Sequence, residues 1–299
     1  MALYAFDGTW NSDKPGAERD TNVRKFCEAY QGAKFYLAGV GTRFGNVGKI
    51  AGGITGAGGR SRVKKMLEHV RSHARSGDTQ LDVIGFSRGA ALALHFANAV
   101  EQEGEQLTGT AAPRIRFLGL WDTVPSFGLP SVRLNIGWDL DLPDNVVKCF
   151  HALALDERRH TFRLHRLEAK VADAMQEGRL FEVWFRGVHS DVGGGNKNPG
   201  LSTIALNWMF AKAVACGLPI EGDAVAKNAA RLRPERPISV HEYDLVKGRF
   251  RTVRWNDQVH YSVAFRNDTR QRQYNNAPEN VVLVNDEGVE VGRFLRAAA

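Results

Sequence analysis

The chain has 299 residues, 43% of them hydrophobic and 24% charged, a balance that excludes a disordered or low-complexity chain and suits one large globular unit. Lys plus Arg exceed Asp plus Glu by 40 to 33, a net charge of +7 with His neutral. The basic residues are scattered rather than interleaved with aromatics in a dense run, so no nucleic-acid partner is expected, whereas transient contact with an anionic membrane surface fits, at about 1 kcal/mol per basic residue near it.

Leu3 to Phe6 is an apolar run of strand length that ends in the turn cluster Asp7-Gly8-Thr9-Trp10-Asn11. It becomes acidic too soon for a signal peptide, and no run of about 18 apolar residues follows to span a bilayer, so the protein is expected to be made soluble in the cytoplasm. Thr21 to Tyr30 is predicted to be a helix with Val23, Phe26, Cys27 and Tyr30 on one face, and Lys34 to Val40 a second strand. Many of the 31 glycines cluster between Gly39 and Gly59, as in loops that pass close to a pocket. Gly45-Asn46-Val47-Gly48-Lys49-Ile50 lacks two parts of a phosphate-binding loop, because Arg43 stands where the first glycine is needed and Ile50 where Ser or Thr is needed. Arg60 to Arg75 is predicted to be a basic helix that turns Val63, Met66, Leu67 and Val70 inward.

The apolar run Leu81 to Phe86 then enters Gly85-Phe86-Ser87-Arg88-Gly89 and a helix-forming segment, the strand–turn–helix context of a nucleophile elbow. Glycines at 85 and 89 let strand and helix pack closely while Ser87 projects above the sheet edge. Ile115 to Trp121 is a further strand, ending at Asp122-Thr123-Val124. From Pro125 to about Gly178 the pattern is irregular and then helical, including Val146 to Leu155, and its length suits a lid-like insertion over about 125–178. Phe181 to Val188 alternates as a strand into His189-Ser190-Asp191-Val192-Gly193-Gly194-Gly195, Leu201 to Cys216 is a buried helix, and Phe250 to Trp255 and Val281 to Val284 are short strands. Neither linker nor repeat divides residues 1–299, so a single domain is expected. Cys27, Cys149 and Cys216 are far apart with no C-x-x-C pair, which excludes a disulfide framework and a zinc site.

Ser87, Asp122 and His189 each follow a predicted strand, in the chain order nucleophile, acid, base that α/β hydrolases use. A serine hydroxyl needs an imidazole to take its proton, and the imidazole needs a carboxylate to fix its tautomer. The acid is Asp122, with Asp156 and Asp191 as rivals; Asp191 stands two residues from His189, where a carboxylate more often braces its own loop, and Asp156 lies in a helical context. The backbone amide of Arg88 and one from the Gly8–Thr9 turn are the candidate oxyanion donors, with Asp7 and Asp191 as supporting loop residues. Phe6-Asp7-Gly8-Thr9 is similar to an aspartyl-phosphate phosphatase signature, but the nucleophilic position is Ala5, and that chemistry fails. A metal held by Asp7, Asp122, His189 and Asp191 would leave the elbow unexplained, so neither metal nor cofactor is expected. The fold expected is α/β-hydrolase-like, with a mostly parallel central sheet, helices on both faces and the lid-like insertion.

Four blocks, Phe6-Asp7-Gly8-Thr9-Trp10-Asn11, Gly85-Phe86-Ser87-Arg88-Gly89-Ala90, Trp121-Asp122-Thr123-Val124 and Val188 to Gly195, resemble the catalytic domain of type VI secretion phospholipase effectors. The weaker blocks His151 to Arg159 and Val259 to Val263 agree in order, so the resemblance spans most of the chain. It implies a Ser87, Asp122, His189 triad, hydrolysis of glycerophospholipid acyl esters of phospholipase A type, delivery into a target cell, and a secretion-apparatus or immunity protein as partner. The alternatives are a general carboxylesterase or peptidase of the same fold and a non-catalytic membrane or nucleic-acid binding module.

Overall fold

The computed structural model describes residues 1–8, 20–39, 56–74, 80–109, 113–125, 138–167, 178–196, 199–239, 248–266, 274–275 and 277–295. Thr9, Trp10, Asn11 and the glycine-rich stretch from 40 to 55 therefore lie outside the described residues. In chain order the elements are β1 (Ala2–Phe6), α1 (Asn22–Ala29), β2 (Ala33–Leu37), α2 (Gly56–Ala74), β3 (Gln80–Phe86), α3 (Arg88–Thr108), β4 (Arg114–Trp121), β5 (Cys149–Ala154) and β6 (Leu180–Phe185). They continue with α4 (His189–Gly193), α5 (Pro199–Ala215), α6 (Gly222–Ala229), β7 (Gln258–His260), a 3₁₀ turn (Tyr261–Arg266), β8 (Val282–Val284) and β9 (Glu290–Arg293).

The strands form one sheet in the order β2-β1-β3-β4-β5-β6-β7-β8-β9, parallel throughout except for the antiparallel pair β8–β9. The chain leaves β1 towards β2 and returns on its other side as β3, so the reversal of strand order falls between β1 and β3. That crevice, at the carboxyl ends of the strands, is where open α/β sheets hold their ligands. The register Phe6↔Gly85, Phe86↔Trp121 and Trp121↔Ala152 brings Asp7, Ser87 and Asp122 out at that same edge.

Alternate residues of the strands feed two cores. Tyr4, Phe6, Val83 and Leu118 pack under α2 and α3, while Leu3, Ala5, Ile84, Phe117 and Trp121 pack under α1 and α5. α1 starts where Thr21 accepts a hydrogen bond from the Arg24 amide at 3.1 Å, a serine/threonine-type cap, and buries Val23, Phe26 and Cys27 as its periodicity requires. The inward face read for the basic helix α2, Val63, Met66, Leu67 and Val70, is buried likewise.

Three local readings change. Val146 to Leu155 is not helical: Cys149–Ala154 is the central strand β5, buried at every position. A strand covered on both faces loses its alternation and cannot be told from a buried helix by periodicity. The stretch 125–178, read as a lid-like insertion, thus also delivers a sheet strand; 126–137 and 168–177 within it lie outside the described residues. Phe250 to Trp255 is an irregular segment rather than a strand, and β9 escaped notice because its Glu290-Val291-Gly292-Arg293 sequence is mostly exposed.

The elbow glycines have specific contacts. A Cβ on Gly85 would lie 2.6 Å from the Ala90 Cα, and one on Gly89 would lie 2.1 Å from the Phe6 carbonyl oxygen. Backbone cannot yield as a side chain can, so α3 reaches β1 and β3 only with glycine at both places. Gly89→Ala is expected to destabilise the fold by about 1–3 kcal/mol, as overpacking does. Gly222, at the start of α6, has nothing within 4 Å of its Cβ position, and Gly222→Ala is expected to be neutral or stabilising by about 0.4–1 kcal/mol. Urea unfolding of both variants checks the contrast; equal midpoints would show that the close approach of α3 to β1 is not a constraint.

Candidate active site

Ser87 sits between β3 and α3 at φ 59°, ψ −125°, a conformation that non-glycine residues seldom adopt. Four backbone bonds hold it there. Its amide donates to the Trp121 carbonyl at 2.9 Å, and its carbonyl accepts from the amides of Ala90 at 3.1 Å, Ala91 at 3.3 Å and Val124 at 3.2 Å. The Arg88 amide is the first N–H of α3, one of the donors that a helix leaves unpaired at its N-terminus, where the macrodipole also favours negative charge. The Arg88 side chain is largely buried, and desolvation lowers its guanidinium to about 10.

Asp122 leaves β4 at φ 43° with its carboxylate fully buried. Oδ1 accepts from the Ala154 amide at 2.8 Å and from Arg251 Nη1 at 2.5 Å; Oδ2 accepts from Arg251 Nη2 at 3.0 Å and lies 2.6 Å from His189 Nδ1. Burial alone would push this carboxyl up, but the Arg251 guanidinium and the imidazole outweigh it and hold it well below the ordinary carboxylate range. An ionised Asp122 can only accept, so the shared proton belongs to His189 Nδ1, and Nε2 is left with its lone pair.

His189 begins α4, just after β6. Its amide donates to Glu157 Oε2 at 3.1 Å, and its ring packs between Phe86, at 4.6 Å between centroids, and Phe162, at 4.7 Å. Phe86 is the residue before Ser87, which joins the imidazole to the elbow. Gly193 permits this, because a Cβ there would stand 1.9 Å from the Phe86 ring. Burial lowers the imidazole below its ordinary value, with Asp122 opposing the shift, so the ring is neutral near pH 7.

Among the rival acids, Asp191 accepts from the Val188 amide at 3.1 Å and from the amide of Ser239 at 2.8 Å and its hydroxyl at 2.6 Å, bracing its own loop. Asp156 follows β5 rather than lying in a helix; it pairs with Arg186 at 2.8 Å and accepts from the Gly187 amide at 2.7 Å. Asp7 accepts from the hydroxyls of Thr21 at 2.7 Å and Tyr36 at 2.5 Å, and from the Gly8 amide at 2.6 Å, so that amide is engaged by its own loop. Thr9 lies outside the described residues. Among the described residues no group of three His, Cys, Asp or Glu side chains could hold a metal ion, and no helix is long and apolar enough to cross a membrane.

Several supporting residues were missed in the sequence. Arg251 lies in a segment read as a strand, and nothing in its surroundings points to a carboxylate 129 positions earlier. Glu157, held near 2 because the Arg159 hydrogen bond outweighs burial, caps the start of α4. His151 on β5 accepts from the Thr123 amide through Nε2 at 3.2 Å and gives its Nδ1 proton to Glu182 at 2.9 Å, locking the residue after Asp122 in place.

The parallel sheet, the strained serine at its crevice, and Asp122 and His189 beyond the ends of β4 and β6 define an α/β-hydrolase-like protein. The family model for the type VI secretion Tle1-like phospholipase effector, catalytic domain, matches residues 3–105 and 95–212, more than half of the chain, and the protein belongs to that family. Ser87, Asp122 and His189 lie inside the matched region; Arg251 lies beyond it. Among solved structures, an uncharacterized protein from Pseudomonas aeruginosa shares the fold at TM-score 0.55 and 23% identity, over 77% of this chain and 48% of that one. The Tle1 effector bound to the VgrG spike from the type 6 secretion system aligns at TM-score 0.48 and 23% identity, over 67% of this chain and 52% of that one. The chain spans about half the length of these two structures. No curated protein matches it.

Breaking a buried ion pair from one side strands the other charge, at a cost of about 3–5 kcal/mol. Arg251→Met is expected to lose that much stability, and Arg251→Met combined with Asp122→Asn to recover most of it. Equilibrium denaturation of the four proteins measures the coupling; a loss below about 1 kcal/mol in the single variant would mean that water reaches Asp122.

Proposed function

We propose that the chain is a serine hydrolase that cleaves acyl esters of glycerophospholipids, with Ser87 as nucleophile, His189 as general base and Asp122 as the acid that orients it, within one α/β-hydrolase domain. The observation that carries this reading is the 2.6 Å contact between His189 Nδ1 and Asp122, with the same imidazole packed on Phe86 next to Ser87. Nε2 takes the Ser87 proton as Oγ attacks the ester carbonyl, and the developing oxyanion is stabilised by the Arg88 amide at the start of α3. Collapse expels the alcohol, which takes the proton back from His189, and water repeats the cycle on the acyl-enzyme. Family membership supports phospholipid as the ester and the type VI secretion apparatus as the route of delivery, with that apparatus or an immunity protein as partner.

Mass spectrometry of products from mixed phospholipids tests the substrate: free fatty acid with lysophospholipid is expected, and intact lipid beside hydrolysed short-chain esters would reduce the protein to a general esterase. Ser87→Ala is expected to lower the rate by about 10⁶-fold. Asp122→Asn should cost about 10⁴-fold, as loss of the tautomer-fixing acid does, and Asp156→Asn far less; the reverse order would move the acid to Asp156.

The lowered imidazole makes a further claim. Its neutral, active form persists below the ordinary value of about 6.5, so kcat/KM should rise with pH through a midpoint under 6.5 and then stay level, with Asp122 ionised throughout. A midpoint above 6.5 would show that Asp122 governs the ring more strongly than burial does.

A further inference from the structure

A cavity of about 490 Å³ shares two of its walls, Phe162 and Arg251, with the site just described. Phe162 is the ring tilted against His189, and Arg251 is the guanidinium on Asp122, so one side-chain thickness separates the cavity from the proposed acid and base. Among the described residues six arginines line it against one carboxylate, Glu157.

Three of those arginines are accounted for by the fold. Arg251 pairs with Asp122, Arg159 with Glu157 at 2.6 Å, and Arg166 with Glu182 at 3.0 Å and Asp257 at 2.9 Å. Arg158, Arg163 and Arg249 meet no carboxylate among the described residues; Arg158 lies over the Phe250 ring at 5.4 Å. Three uncompensated guanidinium groups around one concavity make an anion site, and the planar fork of arginine matches the two non-bridging oxygens of a phosphate ester.

The surroundings indicate where that anion comes from. Trp255, 79% exposed, stands on the turn between Thr252, in the cavity wall, and Asp257, bonded to Arg166 of the same wall. An exposed tryptophan beside arginines suits the headgroup level of a bilayer. In a glycerophospholipid only the few bonds of the glycerol separate the acyl ester from the phosphate, and here one side-chain thickness separates the imidazole from the arginines.

We propose that this cavity holds the phosphodiester of the substrate lipid, with Arg163 and Arg249 as its specificity-determining residues. The proposal rests on the reading that the ester cleaved is a phospholipid's. It predicts preference for a phospholipid over a diacylglycerol with the same acyl chains, expressed through KM.

The test uses short-chain lipids below their micelle concentration. The ratio of kcat/KM on dihexanoyl phosphatidylglycerol to that on dihexanoylglycerol is measured for the wild type, Arg163→Ala, Arg249→Ala and the double variant. Both arginines are exposed, so their removal leaves the core intact. A fall in this ratio of at least tenfold in the double variant, through KM, is expected; an unchanged ratio would overturn the proposal. Calorimetry with the Ser87→Ala protein separates the site from the chemistry. Dihexanoyl phosphatidylglycerol should bind it at least tenfold more tightly than it binds the same protein lacking Arg163 and Arg249, and equal binding would overturn the proposal. If no phospholipid is hydrolysed, the phospholipase reading fails and the calorimetric arm alone decides the site. Inorganic phosphate should bind more weakly than the lipid; equal or tighter binding would make this a free-phosphate site and reject the headgroup assignment.

Discussion

The structure turns on one buried charge. Asp122 has no access to water, and a lone carboxylate in such a place would take up a proton. It stays ionised because a guanidinium, an imidazole and a backbone amide from three other parts of the chain meet its two oxygens. Each of these groups is placed in turn by the carboxylate. The Ala154 amide fixes the end of β5 against β4, His189 is held in a single tautomer, and Arg251 draws the irregular segment 248–254 across the strand ends. Removing the charge would release three elements from one another at once.

Around that charge the site is closely packed. Two glycines let α3 approach the ends of β1 and β3, and the imidazole touches the rings of both Phe86 and Phe162. Arg159 lies over the Phe162 ring at 3.9 Å, so a chain of ring contacts runs from Phe86 through His189 and Phe162 to a guanidinium.

Much of the sheet, and the placing of Ser87, Asp122 and His189 beyond strand ends, were legible because they lie where sequence rules are strong. Val83-Ile84-Gly85-Phe86 and Phe117 to Trp121 are short apolar runs that end in polar turns, and Gly85 and Gly89 have a steric reason to be glycine. β5 was not legible, since Cys149-Phe150-His151-Ala152-Leu153-Ala154 is buried on both faces and has no period to read. Arg251 was not legible for a different reason. Its partner is fixed by tertiary placement alone, and no local pattern marks an arginine as the counter-charge of a distant aspartate. Asp156 misled in part, because its setting beside Glu157-Arg158-Arg159 resembles a charged helix start while the structure places it at a strand end against Arg186.

The position of Arg251 along the chain has a consequence for assembly. Ser87, Asp122 and His189, and the strands β1 to β6 that precede them or pair beside them, all lie within the first 193 residues. The cation that balances Asp122 follows almost sixty residues later, roughly 3 to 12 s of synthesis at ordinary ribosomal rates. During that interval the carboxylate lacks its guanidinium partner, and burying it without that charge shifts it towards the protonated form. The full set of partners of Asp122 therefore exists only once residue 251 has been made, and β7, β8 and β9 follow it in the chain to complete the sheet.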